Sequence, residues 1–208
     1  MPDCKNLAPV WEKVADDYAL DDSVMIAKVD AEAESSKALA ENQGVTSYPT
    51  IKWFPKGSTE PESYAGGRSE DAILEWVNKH AGLHRVAGGA LDREAGTIGS
   101  FDAIVVKFTS GAAALAEAAE EATKELESLA RDLGDSAQHK YAKYYVRVFE
   151  KLSENEGYTA KEAARLDKIL AKGGLAPSKR DEIQSKRNIL TKFSEKVADR
   201  VESIKDEL

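Results

Sequence analysis

Apolar positions in the N-terminal part of the chain change between helical and strand spacing, which predicts mixed α/β structure. The predicted elements are, in order, a helix at 5–19, a strand at 24–30, a helix at 32–42, strands at 50–54 and 62–65, and a helix that begins after residue 69. The run at 24–30 is rich in β-branched residues, as in a buried strand. We expect Ala38 and Leu39 to face inward, and Ser69 is a suitable N-cap.

The C-terminal part has helical spacing alone, from Phe101 onward. Between Leu115 and Leu133, leucines and alanines recur at steps of four and three. Thr159 and Glu162 form the capping-box pattern that is typical of a helix start. About five helices with short connections predict an antiparallel helical domain.

Composition marks the boundary between the two parts. Residues 83–99 are rich in glycine and lack periodicity, which is typical of a linker. We therefore predict a first domain at 1–82, a helical domain at 100–200 and a tail at 201–208.

Charge and hydropathy disfavour two classes of interaction. The formal net charge of −8 argues against nucleic acid as a partner, because a nucleic-acid binder needs a basic face to neutralise phosphates. No apolar run approaches the roughly 20 residues that a membrane span needs, so we expect no membrane insertion.

The chain ends in Lys205, Asp206, Glu207 and Leu208, which spell the K-D-E-L retention address of the endoplasmic reticulum lumen. This tail predicts a lumenal protein with a retention receptor as a partner. Because the N-terminus lacks a signal-peptide pattern, we expect that an upstream segment precedes Met1 in the full protein. An in-frame stop codon just upstream of Met1 would contradict that expectation.

The run C-K-N-L-A-P begins at Cys4, and the motifs K-V-D-A, G-V-x-x-Y-P-T and Y-x-G-G-R follow it in that order. Together they resemble a thioredoxin-like domain of the protein disulfide isomerase family over residues 4–82. The resemblance implies a partial α/β thioredoxin-like fold with its first strands missing, and Met1 stands where the first active-site cysteine would be. A sheet without its central strand leaves backbone groups unpaired, at about 1–3 kcal/mol for each buried group. We therefore predict that this domain is unstable or rearranged by itself.

The order of the later helices and the run from Arg180 to Phe193 resemble the helical D domain of some disulfide isomerases, over about residues 98–200. The predicted fold class is therefore a partial α/β thioredoxin-like fold followed by an all-α C-terminal domain of about five helices.

The resemblance also implies roles for five residues. Cys4 corresponds to the second, resolving cysteine, at a helix N-terminus that favours thiolate. Tyr48, Pro49 and Thr50 match the cis-proline loop, which would face Cys4 and offer backbone groups to an extended substrate. Arg68 corresponds to an arginine that approaches the active-site thiols and favours their charged form. A trans proline and an exposed loop arginine are the alternatives.

The tryptophans, histidines and tyrosines are expected to have structural roles more than catalytic ones. We expect the three tryptophans in the core, namely Trp11, Trp53 and Trp76. The histidines have no metal-ligand spacing with the lone cysteine, so neither a metal nor another cofactor is expected; they are His80, His84 and His139. Three tyrosines lie on two adjoining helical faces, and either pack in the core or line a groove for unfolded chains; they are Tyr141, Tyr144 and Tyr145.

Two functions remain open at this stage. The resemblance implies a thiol–disulfide oxidoreductase of the endoplasmic reticulum that assists the folding of secretory proteins, with unfolded or disulfide-containing chains as partners. A lone Cys4 cannot complete an oxidation–reduction cycle, so this chain either exchanges disulfides slowly or is inactive. The alternative is a non-catalytic client-binding or chaperone module that acts through the helical domain.

Overall fold

The computed structural model describes residues 2–133 and 137–206, and the chain divides into two compact units between Asp92 and Arg93. The N-terminal unit contains α1 (Pro2–Asp17), α2 (Lys37–Asn42), β1 (Lys52–Trp53), β2 (Glu62–Ser63) and α3 (Glu70–Ala81). The C-terminal unit contains α4 (Gly99–Thr109), α5 (Leu115–Leu133), α6 (Ala137–Glu154), α7 (Tyr158–Lys172) and α8 (Pro177–Asp206). None of these helices has the length and apolar content that a membrane crossing requires.

The N-terminal unit is built on the packing of α1 against α3. Leu7 and Val14 on α1 lie in one buried apolar cluster with Ile73, Leu74 and Val77 on α3. Fully burying a side chain of this kind stabilises the fold by roughly 1.5–3 kcal/mol. This helix pair is therefore the main source of stability in the unit.

Both ends of α3 follow from local sequence. The side chain of Ser69 accepts a hydrogen bond from the backbone N–H of Ala72 at 3.3 Å, which confirms the predicted N-cap. At the other end, Gly82 adopts a left-handed conformation with φ of +66°, which a side chain would strain.

The segment predicted as a linker is divided between the two units, and its first part is tied to the N-terminal unit. The buried guanidinium of Arg85 donates to both carboxylate oxygens of Asp21, at 2.6 and 3.2 Å, and to the carbonyl of Gly89 at 2.8 Å. The side-chain amide of Asn78 donates to the carbonyl of Arg85, and its oxygen accepts from the backbone N–H of Arg85. The hydroxyl of Tyr18 donates to the same Asn78 oxygen. Removing either member of the ion pair would deprive a buried charge of a partner, which is destabilising.

Asp17, at the end of α1, is a buried residue with 4% exposure, and burying its carboxylate disfavours folding. Burial raises the pKa of this group and the negative charge of Glu70 raises it further, while the N–H groups of Gly88 and Gly89 act in the opposite direction. The Oδ2 oxygen has no hydrogen-bond partner among the residues that the structure describes.

The predicted strand over residues 24–30 does not form. Val24 and Ile26 pack on the core of the N-terminal unit, whereas the side chains of Met25 and Val29 are 88% and 60% exposed. A strand needs a neighbour that pairs with its backbone groups, and no described residue forms a ladder with this segment. The prediction was wrong because local β propensity cannot supply that neighbour.

The two predicted later strands do form, although each is short. β1 and β2 pair antiparallel, with Lys52 opposite Ser63 and Trp53 opposite Glu62. They make up the one sheet found in residues 2–133 and 137–206.

The prediction that α2 buries Ala38 and Leu39 was wrong. A 3₁₀ turn (Glu34–Ser36) leads into this six-residue helix, which has no buried residue, and Leu39 is half exposed. An apolar face stabilises a helix only where another element packs against it.

The C-terminal unit is a helical domain with an aromatic centre. Phe149 on α6 and Phe193 on α8 meet edge to face, with ring centroids 5.1 Å apart. The buried hydroxyl of Tyr145 donates to the carboxylate of Asp102 and accepts from the backbone N–H of Ile98 at 3.3 Å. These contacts join α4, α6 and α8 through both apolar and polar groups.

The predicted capping box at Thr159 is absent. α7 begins at Tyr158 with Gly157 as its N-cap, and no side chain caps it. Glu162 instead accepts both donors of the Arg165 guanidinium fork, at 2.7 and 2.6 Å. A bidentate, charge-assisted pair competes successfully for the carboxylate that the capping box would need.

We predict that the two units unfold at different urea concentrations. The three tryptophans all lie in the N-terminal unit, whereas most helical residues lie in the C-terminal unit. Because the N-terminal unit leaves apolar side chains uncovered, its tryptophan emission should change about 1 M urea before the helical circular dichroism signal. Coincident midpoints would contradict this expectation.

Candidate functional site

The loop that enters β1 has the backbone form predicted from its sequence. The Tyr48–Pro49 peptide bond is cis. The hydroxyl of Thr50 donates to the carbonyl of Ser47 at 2.6 Å, so this side chain closes the loop across the proline.

Tyr64, which directly follows β2, connects this loop to the core of the N-terminal unit. Its backbone N–H donates to the carbonyl of Ile51 at 3.0 Å, and its hydroxyl donates to the carbonyl of Gly67 at 2.6 Å. The ring meets Trp76 edge to face at 5.4 Å. Burial raises the pKa of the hydroxyl, which keeps it in the neutral, hydrogen-donating form.

A cleft of about 240 Å³ lies between the Pro49 loop and the segment that follows β2. It is lined by Ser47, Pro49, Thr50, Ile51, Ser63, Tyr64, Ala65, Gly66 and Arg68. The structure thus brings together three of the predicted site residues, Pro49, Thr50 and Arg68. Tyr48 is half-buried beside them and does not line the cleft.

Cys4 lies in the first turn of α1, where it is a free, half-buried thiol. Three residues later, Leu7 anchors the same helix in the core. Cys4 does not line the cleft, so the expectation that the loop faces this thiol stays a prediction.

Arg68 is exposed, and its guanidinium forms no ion pair or hydrogen bond with any residue that the structure describes. This exposure is what the alternative of an exposed loop arginine expects. A role for its charge toward the thiol also stays a prediction.

Sequence reasoning missed the glycine that shapes the cleft wall, although the motif Y-x-G-G-R contained it. A Cβ atom on Gly66 would lie 2.6–2.8 Å from the ring and hydroxyl of Tyr64, closer than real Cβ atoms approach. A Cβ on Gly67 would meet only the methyl group of Ala72, at 3.2 Å. Gly66 therefore allows the tyrosine to lie over the turn and reach the Gly67 carbonyl.

The remaining predicted candidates have structural contacts. All three tryptophans pack against the core of the N-terminal unit, as predicted; they are Trp11, Trp53 and Trp76. His80 stacks on Trp76 at 3.6 Å, and His84 contacts Asp92 at 3.2 Å. Within the described ranges, no three histidine, cysteine or acidic side chains gather as metal ligands would.

The tyrosines of α6 do not line an open groove. Tyr144 and Tyr145 are buried in the helical core, and Tyr141 packs half-buried against it. Of the two explanations for these residues, core packing is confirmed. Of the four residues predicted to form a retention signal, Lys205 and Asp206 end α8, and Glu207 and Leu208 lie outside the described residues.

Two protein-family models match the chain. The Thioredoxin model matches residues 2–79, and the model of the C-terminal domain of endoplasmic reticulum protein ERp29 matches residues 96–193. Together they confirm the predicted fold class, in which a thioredoxin-like part precedes an all-α domain.

Several curated proteins are similar over most of the chain. Protein disulfide-isomerase erp38 of Neurospora crassa is 55% identical over 205 residues, which are 99% of this chain and 53% of that protein. Protein disulfide-isomerase tigA of Aspergillus niger is 53% identical, over 91% of this chain and 49% of that protein. Protein disulfide isomerase-like 2-2 of Oryza sativa subsp. japonica is 41% identical, over 92% of this chain and 50% of that protein. The chain spans about half the length of the curated relatives it matches.

We predict that Gly66→Ala destabilises the N-terminal unit by about 1–3 kcal/mol, because the new methyl group must displace the Tyr64 ring from its contacts. The matched control is Gly67→Ala, which should cost less because only one methyl group has to move. Urea unfolding followed by tryptophan emission measures both variants. Equal destabilisation by the two substitutions would contradict the assigned role of Gly66.

Proposed function

We propose, on the premise that the chain belongs to the protein disulfide isomerase family, that Cys4 exchanges disulfides with polypeptides held along the loop of Tyr48, Pro49 and Thr50. The observation that carries the proposal is the position of Cys4 in the first turn of α1, within a match that extends over nearly the whole chain. The cis Tyr48–Pro49 bond and the adjoining cleft support it.

The exchange step uses one thiol. The Cys4 thiolate attacks one sulfur of a client disulfide, a new S–S bond forms between them, and the client S–S bond breaks. The second client sulfur leaves as a thiolate. It then attacks another disulfide of the client, and the thiolate released by that second exchange attacks the mixed disulfide and frees Cys4 as a thiolate. The sequence rearranges client disulfides without net oxidation.

A single cysteine limits the reaction that these 208 residues can perform. Net reduction or oxidation of a client needs a second thiol to resolve the mixed disulfide, and Cys4 is the one cysteine in the sequence. We therefore propose slow isomerisation, with long-lived mixed disulfides, as the activity of this chain.

We also propose that the protein works in the endoplasmic reticulum lumen, on secretory polypeptides. The K-D-E-L tail and the match to the ERp29 C-terminal domain support this location, with a retention receptor as the partner of the tail.

We predict where the chain accumulates when a signal peptide delivers it to the lumen. Cells should retain it, and deletion of residues 205–208 should move most of it into the medium, as immunoblotting of cells and medium would show. A chain with the last four residues scrambled controls for length and charge. Equal retention of all three chains would overturn the proposed address.

For the exchange itself, we predict that Cys4→Ser and Cys4→Ala both abolish the reactivation of scrambled ribonuclease, because each variant lacks the attacking sulfur. Asn6→Ser changes an exposed residue of the same helical turn and should keep the wild-type rate. Mass spectrometry should find mixed disulfides with the wild-type and Asn6→Ser chains and with neither Cys4 variant. A rate that survives loss of the thiol would refute the exchange mechanism. Suppression of client aggregation that is unchanged in Cys4→Ser would instead support a client-binding module.

A further inference from the structure

The cleft beside the Pro49 loop offers hydrogen-bond donors that exchange at Cys4 does not require. The lining includes Arg68, Ser47 and Ser63, and none of their side chains bonds to another residue in the described part of the chain. None of the nine lining residues is acidic. Arginine has five N–H donors and no acceptor, so its charge determines the kind of group that fits.

The size of the cleft limits its occupant. Sites for whole small molecules usually measure about 300–1,000 Å³, and this cleft measures about 240 Å³. It therefore suits one side chain of a larger ligand. Because the Pro49 loop forms one wall, a polypeptide that lies along the loop would place a side chain there.

Opposite charge identifies that side chain. A planar guanidinium matches a carboxylate with two parallel hydrogen bonds, and hydroxyl groups can donate to the same oxygens. The overall charge of −8 opposes the approach of any anion, so long-range attraction cannot create the preference. Selectivity for an acid would have to arise from contact inside the cleft.

Building on the proposed function, we propose that this cleft binds the carboxylate of an aspartate or glutamate in an extended polypeptide substrate, and that Arg68 determines this specificity. The residue thereby selects which segments of a client lie along the Pro49 loop. It acts on substrate choice and has no part in the electron balance of the exchange.

The experiment uses the full chain and fluorescein-labelled octapeptides of alanine and serine without cysteine. One glutamate is moved through the eight positions, and glutamine and lysine peptides serve as comparisons. Fluorescence anisotropy at fixed ionic strength gives the dissociation constants. We expect a glutamate peptide to bind about five-fold more tightly than its glutamine counterpart at one or two positions, as for an exposed ion pair.

Arg68→Gln should remove this preference, and Arg68→Glu should transfer it to the lysine peptide. Lys56→Gln removes the same charge from an exposed turn outside the cleft and should leave the preference unchanged. If the peptides do not bind, if glutamate is not preferred, or if Lys56→Gln weakens the preference as much as Arg68→Gln does, the proposal is overturned.

The outcome is independent of the thiol. These peptides contain no sulfur, so a chain that fails to reactivate ribonuclease can still show the glutamate preference. Conversely, an active chain without that preference would refute the role of Arg68 and leave the exchange mechanism intact.

Discussion

The packing of α1 against α3 is the interaction on which the N-terminal unit depends. Leu7 and Val14 meet Ile73 and Val77 in a buried cluster, and this contact holds Cys4 at the start of one helix. The small sheet makes a lesser contribution, because its two strands have two residues each and an isolated pair is marginally stable in water. The thiol is therefore supported by a helix pair, and the Pro49 loop by the hydroxyl of Thr50 and the backbone N–H of Tyr64.

The positions of several helices and the N-cap of α3 could be predicted because their signals are local. Apolar spacing located α1, α3 and α5, and Ser69 caps α3 as expected. The segment 24–30 could not be predicted, since its β-branched residues indicate a strand only when another strand pairs with it. Leu39 shows the same dependence, because an inward face needs an element to cover it.

Sequence motifs predicted more of the site residues than hydrophobic periodicity did. They indicated Cys4, the cis Pro49 and Arg68, and the structure brings the last two to one cleft. The contact between Gly66 and Tyr64 could not be predicted, because it depends on the path of the chain after β2. Similarity to relatives named protein disulfide-isomerases supports the proposal of disulfide exchange, and the count of one cysteine limits the steps that these residues could perform.

The buried carboxyl of Asp17 has a consequence for how the N-terminal unit responds to acid. Burial raises its folded pKa above the ordinary value of 3.8, so the folded unit takes up a proton more readily than the unfolded chain does. As pH falls through the range between those two values, this group increasingly favours folding. Carboxylates in ion pairs behave in the opposite way, because protonation removes their partner's attraction. Mild acid therefore relieves an unfavourable buried charge in this unit.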